Sequence, residues 1–160
     1  MSEMSPDNAP VAQDPELVAR IEAILNTLLD ATGASRGTFR ADDPARGWQA
    51  DTPCAEVLRH DAPTMMNDAS VNHRAAATIQ WIIRTGEILK QEDLTKVEAD
   101  PPWQLIQIFK AKSQMVGPVY KGDWVYGWVS AHDVTGPRPW TDADETAMKQ
   151  AMAEVGALVL

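Results

Sequence analysis

A chain of 160 residues with 44% hydrophobic and 23% charged residues has the size and balance of one globular domain, large enough to bury a core without a disulfide or metal staple. Its 14 basic and 23 acidic residues leave a formal net charge of −9, which disfavours nucleic-acid backbones and anionic lipid heads, since both require clustered Lys and Arg. One cysteine, Cys54, excludes an internal disulfide framework.

Residues 1–13 are polar and contain proline, so a mobile tail is expected there, followed by a single domain over 14–160. No apolar run reaches the roughly 18 residues of a membrane span. The N-terminal stretch also lacks the apolar core of a secretory signal, so a cytoplasmic location is expected. Asp14-Pro15-Glu16 is a helix start: Asp14 to cap free N–H groups, Pro15 for the first helical position and Glu16 for the positive helix end. Leu17, Ile21, Ile24, Leu25 and Leu28 then recur at helical spacing, and Gly33 is the expected stop.

Arg36–Arg40 and Cys54–Leu58 read as short strands on either side of a loop rich in Asp, Pro and Gly. A helix is expected from about His73 to Arg84, a short strand over Glu87–Lys90, and a further helix starting at Asp100-Pro101-Pro102. Met115–Tyr120 and Trp124–His132 are the clearest strands, with Lys121-Gly122-Asp123 between them as a hairpin turn. Thr141 and Asp144 stand at capping-box spacing ahead of a final helix that carries Met148, Ala151, Met152, Val155 and Leu158. The order is α-β-β-α-β-α-β-β-α, which fits an α+β domain with one sheet and segregated helices.

The strand–turn–strand segment GPVYKGDWVYGWVSAHD, the RPWTDAD opening of the last helix, and the helix ending in TGEIL before them resemble the GAF domain family over about residues 14–160. The resemblance implies a central antiparallel sheet of five to six strands. The first and last helices lie on one face and a ligand pocket lies on the other. It also implies a free-standing, small-ligand sensing type that dimerises through its terminal helices. Three subtypes fit poorly. Phytochrome-type members attach a bilin through a Cys beside a His, whereas Cys54 stands in TPCAE. Free methionine sulfoxide reductases use several cysteines, and the NKFDE signature of cyclic-nucleotide members is absent.

Alternation along Trp124–His132 predicts Val125, Gly127, Val129 and Ala131 on the helix-covered face. It predicts Trp124, Tyr126, Trp128, Ser130 and His132 on the other, an apolar wall with few polar groups. Arg40, and Trp48 in the loop after it, are expected to orient a planar or anionic ligand with Trp128, Ser130 and His132. Arg138 would close one side, because a guanidinium can clamp a carboxylate bidentately. Trp81 and Trp103 are candidate lid residues, and Met65-Met66 a candidate apolar wall. His60 and His73 are expected to be exposed, and Cys54 to be a small buried residue. Spacing supplies neither a metal site nor a nucleophile motif, so no metal, cofactor or catalytic residue is expected. The residues favour a non-enzymatic sensor of a small metabolite, with a possible regulatory protein partner. The alternatives are a protein-interaction module with a degenerate pocket and an enzyme related to free methionine sulfoxide reductase.

Overall fold

The computed structural model describes residues 13–160, so the expected tail at 1–13 lies almost wholly outside the described residues. Nine principal elements follow in chain order: α1 (Pro15–Thr32), β1 (Arg36–Ala41), β2 (Ala55–Leu58), α2 (Ala77–Thr85), β3 (Leu89–Gln91), α3 (Trp103–Gln107), β4 (Ser113–Lys121), β5 (Trp124–Asp133) and α4 (Asp142–Val159). The five strands form one sheet in the order β2-β1-β5-β4-β3, with every pair antiparallel. The expected α+β architecture is present. No described helix is long and apolar enough to cross a membrane.

Local chemistry sets the helix ends. The Asp14 carboxylate accepts from the backbone N–H of Glu16 at 3.0 Å and of Leu17 at 3.3 Å. Thr141 and Asp144 complete a reciprocal capping box for α4. At Asp100 the sequence signal did not act as expected. Pro102 takes the N-cap place of α3 and no side chain caps it. The helix is only 5 residues long. The single helix expected from His73 is instead a 3-10 turn over His73–Ala75 and then α2, with Ala76 between them in extended conformation. Asn72 supplies the cap of that turn.

One face of the sheet carries α1 and α4. Ile21, Leu25, Leu28 and Leu29 of α1 and Met148, Ala151, Val155 and Val159 of α4 pack on Phe39, Ala41, Met115, Val119, Val129 and Ala131. All of these side chains are buried. At roughly 25 cal/mol per Å² of apolar area, this layer is the main source of stability. Gly127 permits the tight β1–β5 contact beneath it. A Cβ there would lie 2.2 Å from the Arg40 carbonyl oxygen and 2.9 Å from the Ala41 Cβ.

The β4–β5 hairpin turns at Gly122, whose φ of 60° suits glycine. Its register then shifts: Val119 pairs with Gly127 but Tyr120 pairs with Val125, so Tyr126 is the extra residue of a β-bulge. The bulge corrects the expected alternation. Tyr126 joins the helix-side core and donates its hydroxyl hydrogen to Asp43, while Val125 joins Trp128 on the opposite face. Trp124 is exposed beside the turn. Beyond the bulge, from Gly127 to His132, the alternation holds.

Candidate functional site

The second face of the sheet is polar where the first is apolar. Arg36, Thr38 and Arg40 alternate along β1 with Gly37, Phe39 and Ala41, and register pairs them with His132, Ser130 and Trp128 of β5. Gln114 of β4 pairs with His132 from the other side. Every one of these polar side chains is buried. They are covered by Met65, the His73–Ala75 turn, Thr78 and Ile79 of α2, and Pro102 with Leu105 of α3. The cavity enclosed between sheet and cover is about 20 Å³ and is lined by Arg40, His73, Gln114, Trp128, Ser130 and His132 together with those covering groups. This is space for about one water-sized sphere.

The two arginines on this face differ in their partners. Arg36 is fully engaged: its Nε donates to His132 Nδ1 at 2.9 Å, one terminal nitrogen donates to the Pro63 oxygen at 2.7 Å, and both terminal nitrogens reach the Phe109 oxygen at 3.1 Å. Among the described residues, the Arg40 guanidinium makes one hydrogen bond, from Nη1 to the Ala50 oxygen at 2.9 Å. Among the described residues no carboxylate lines the cavity; Glu56, which pairs with Thr38 from β2, acts on both arginines from nearby, and Asp51 acts on Arg40. Burial lowers both guanidinium pKa values to about 10, because the site solvates positive charge poorly.

His132 accepts through Nδ1, so its proton sits on Nε2 and the ring is neutral. Burial, then Arg36 and Arg40, holds its pKa well below the usual imidazole range. His73, expected on the surface, is 8% exposed. Burial, followed by the charge of Arg40, lowers it to about 3. Among the described residues, its Nε2 and the hydroxyl of Thr38 are buried and have no hydrogen-bond partner. An unsatisfied buried polar atom typically costs about 1–3 kcal/mol, so each of the two requires an explanation.

Of the residues singled out from sequence, Arg40, Trp128, Ser130 and His132 come together at this cavity. The others, Met65 apart, do not reach it. Trp48 lies in the helix-side core, edge-on to Phe39 at 5.9 Å with Arg46 over its ring. The loop after β1 folds back through an Asp43–Trp48 bridge, which carries the indole to that side. Arg138 is held at the start of α4: it bonds the Thr32 carbonyl, pairs with the buried Asp144 and stacks over Trp140 at 4.3 Å. Trp81 packs against the outside of the Ile79–Trp128 cluster and lines two open surface clefts. Trp103 is 59% exposed and is not a lid. Met65 forms part of the cavity wall as expected, whereas Met66 points outward.

His73, Thr38 and Gln114 were missed. The alternation of RGTFR carried a signal for Thr38, which lies between two arginines on one strand face. Gln114 carried the same signal ahead of Val116. The burial of His73 depends on Arg74 beside it. Arg74 Nε pairs with Asp42 at 2.6 Å, its terminal nitrogens bond the Val125 and Tyr126 carbonyls, and its guanidinium stacks on Trp124 and Trp128. That cluster fastens the 3-10 turn to the sheet and swings His73 inward. Cys54 is buried in the helix-side core, and burial pushes its thiol up to about 12, so it is protonated and shielded.

The sequence model of the GAF domain matches residues 16–160. Among solved structures, the GAF domain of the cyanobacteriochrome TePixJ superposes with a TM-score of 0.72 at 17% identity, covering 99% of this chain and 95% of that one. The blue-light-absorbing form of the PixJ GAF domain of Thermosynechococcus elongatus gives 0.66 at 18% identity, with 90% and 85% covered. The type II free methionine-R-sulfoxide reductase of Thermoplasma acidophilum gives 0.66 at 12% identity, with 91% and 93% covered. No curated protein sequence matches the chain. At these identities the likeness is one of fold.

Proposed function

The chain belongs to the GAF domain family, and from that premise we propose that it is a non-enzymatic sensor, acting in the cytoplasm, that binds a small planar or anionic ligand between the β1–β5 face and the cover formed by the His73 turn, α2 and α3. The observation that carries this reading is Arg40: a cation 3% exposed, with one hydrogen bond, beside two orphaned polar atoms. A buried charge and unpaired polar atoms lower stability, and apolar residues of similar volume would pack the same space at no such cost. Their presence is accounted for if an anion completes the site.

The cavity volume of about 20 Å³ means that any ligand larger than a single small ion must displace the cover. Binding then selects an opened or rearranged population of the segment between β2 and β4, which a regulatory protein partner could read. Homodimerisation through α1 and α4 belongs to the same proposal, and sedimentation of a monomer at high concentration would refute it. The chemistry of the structural neighbours transfers poorly. Cys54 is protonated, shielded and on the far face from the cavity, which supports recognition over thiol catalysis or covalent chromophore attachment.

One observation favours a second reading. Met65, Ile79, Leu105 and Trp128 nearly fill the space, as expected of an interaction module whose pocket is degenerate. A thermal-shift screen separates the two, using inorganic anions, small carboxylic acids, nitrogen metabolites and nucleotides against the wild type and Arg40→Met. For the sensor, an anion at about 100 times its Kd raises the wild-type Tm by roughly 5–10 °C and leaves Arg40→Met unmoved. No shift from any class refutes the sensor and leaves the degenerate pocket.

A further inference from the structure

We infer that the site captures a compact monoanion between the Arg40 guanidinium, the Thr38 hydroxyl and the His73 imidazole, and that His73 takes up a proton as the anion enters. This deepens the sensor reading and rests on it. The size class comes from the cavity, about 20 Å³, which admits an ion of one to a few heavy atoms with small adjustments of the cover. The charge sign comes from Arg40, a buried cation with one carbonyl as its partner. The contact groups are the two buried side-chain atoms without partners, Thr38 Oγ1 and His73 Nε2, the second on a residue that lines the cavity.

Proton uptake follows from what surrounds His73. The charged and titratable groups facing it are Arg40 from β1, His132 from β5 with Arg36 behind it, Asp68 from the preceding loop, and the neighbouring Arg74, which Asp42 neutralises. Only Asp68 favours the imidazolium, and it is the weakest of the influences on His73, after burial and Arg40. The ring is therefore neutral without an anion. An anion beside the ring opposes both influences and raises the imidazole back toward its ordinary range. His132 cannot substitute as the proton acceptor, because its free lone pair is committed to the Arg36 N–H. Protonation makes Nε2 of His73 an obligate donor, as an anion requires.

Thermodynamic linkage makes this measurable: a ligand that raises a pKa binds tighter when the proton is available. Nitrate and chloride are suitable probes because both stay fully ionised through the range tested. Titration calorimetry of the whole chain with each anion, at pH 7.5 and pH 5.5 in buffers of differing ionisation enthalpy, reads affinity and proton uptake together. The expected result is severalfold tighter binding at pH 5.5 than at pH 7.5, net proton uptake that rises toward the acid end, and loss of both the pH dependence and the proton uptake in His73→Gln and His73→Asn. Circular dichroism confirms that the variants fold. Binding that depends on Arg40 but not on pH, or a pH dependence unchanged in both His73 variants, overturns the proton coupling and leaves the sensor standing. Binding of neither probe at either pH refutes the compact-anion site. The broader screen above then decides whether the sensor reading fails with it.

Discussion

The two faces of the sheet use the same strands to opposite ends. Toward α1 and α4, β1 presents Gly37, Phe39 and Ala41, and the layer above them is closed, apolar and free of ionisable groups apart from the Cys54 thiol and the Tyr126 hydroxyl at its margin. Toward the cover, the alternate residues of the same strand are Arg36, Thr38 and Arg40. The first face is organised for stability alone. The second retains charge and unpaired hydrogen-bonding groups in a volume that hydrophobic side chains could fill, which is the expected compromise where a site must wait for a ligand. Within the polar face the division recurs: Arg36 is satisfied and serves as scaffold, whereas Arg40 is left available.

The largest predicted effects fall on the apolar face. Phe39→Ala should cost about 3–5 kcal/mol in urea denaturation, since the ring is fully buried under both helices. A loss below about 1 kcal/mol would mean that the helix layer is loosely packed and would weaken the contrast. Next comes Arg36→Met, which strands the Pro63 and Phe109 carbonyls and the His132 lone pair and should cost about 3 kcal/mol. Arg40→Met removes one hydrogen bond and one desolvated charge and should change stability by less than about 1 kcal/mol, in the stabilising direction if the charge dominates. If the two arginine variants proved equally damaging, the distinction between scaffold and ligand group would fail.

Acidity sharpens the comparison further. In the unfolded chain His73 titrates near 6.5, and in the fold near 3, so below pH 6.5 the unfolded state binds more protons and stability falls as pH falls. The full contribution is present above about pH 6.5 and declines by up to about 1.4 kcal/mol per pH unit toward pH 3; His132 acts in the same direction. The Tm of His73→Gln should therefore decline less between pH 7 and pH 5 than that of the wild type, and parallel curves would show that His73 is not buried neutral. A modest effect is expected at the start of α4, where Thr141→Ala removes a capping-box partner and should cost about 1 kcal/mol.

Much of this was legible in the chain. The helix caps at Asp14 and Thr141, the five strands and the hairpin at Gly122 follow from local chemistry, and the alternation beyond Gly127 placed Trp128, Ser130 and His132 on the pocket side. The bulge at Tyr126 was not legible, because period-2 reasoning assumes an unbroken ladder, and one extra residue reverses every side chain before it. Trp48 and Arg138 were misplaced because loop residues take their direction from tertiary contacts, here the Asp43–Trp48 bridge and the buried Asp144. His73 was invisible for a related reason: what buries it is the long-range fastening of Arg74 to Asp42 and β5.

The central claim is that an anion belongs against Arg40 on the polar face. The most direct measurement is anomalous diffraction from crystals of the whole chain soaked in bromide. The account predicts a bromide peak inside the cover, within hydrogen-bonding distance of the Arg40 guanidinium and adjacent to Thr38 Oγ1 and His73 Nε2. Bromide confined to surface lysines and arginines, with the cavity walls closed on one another as before, would contradict it.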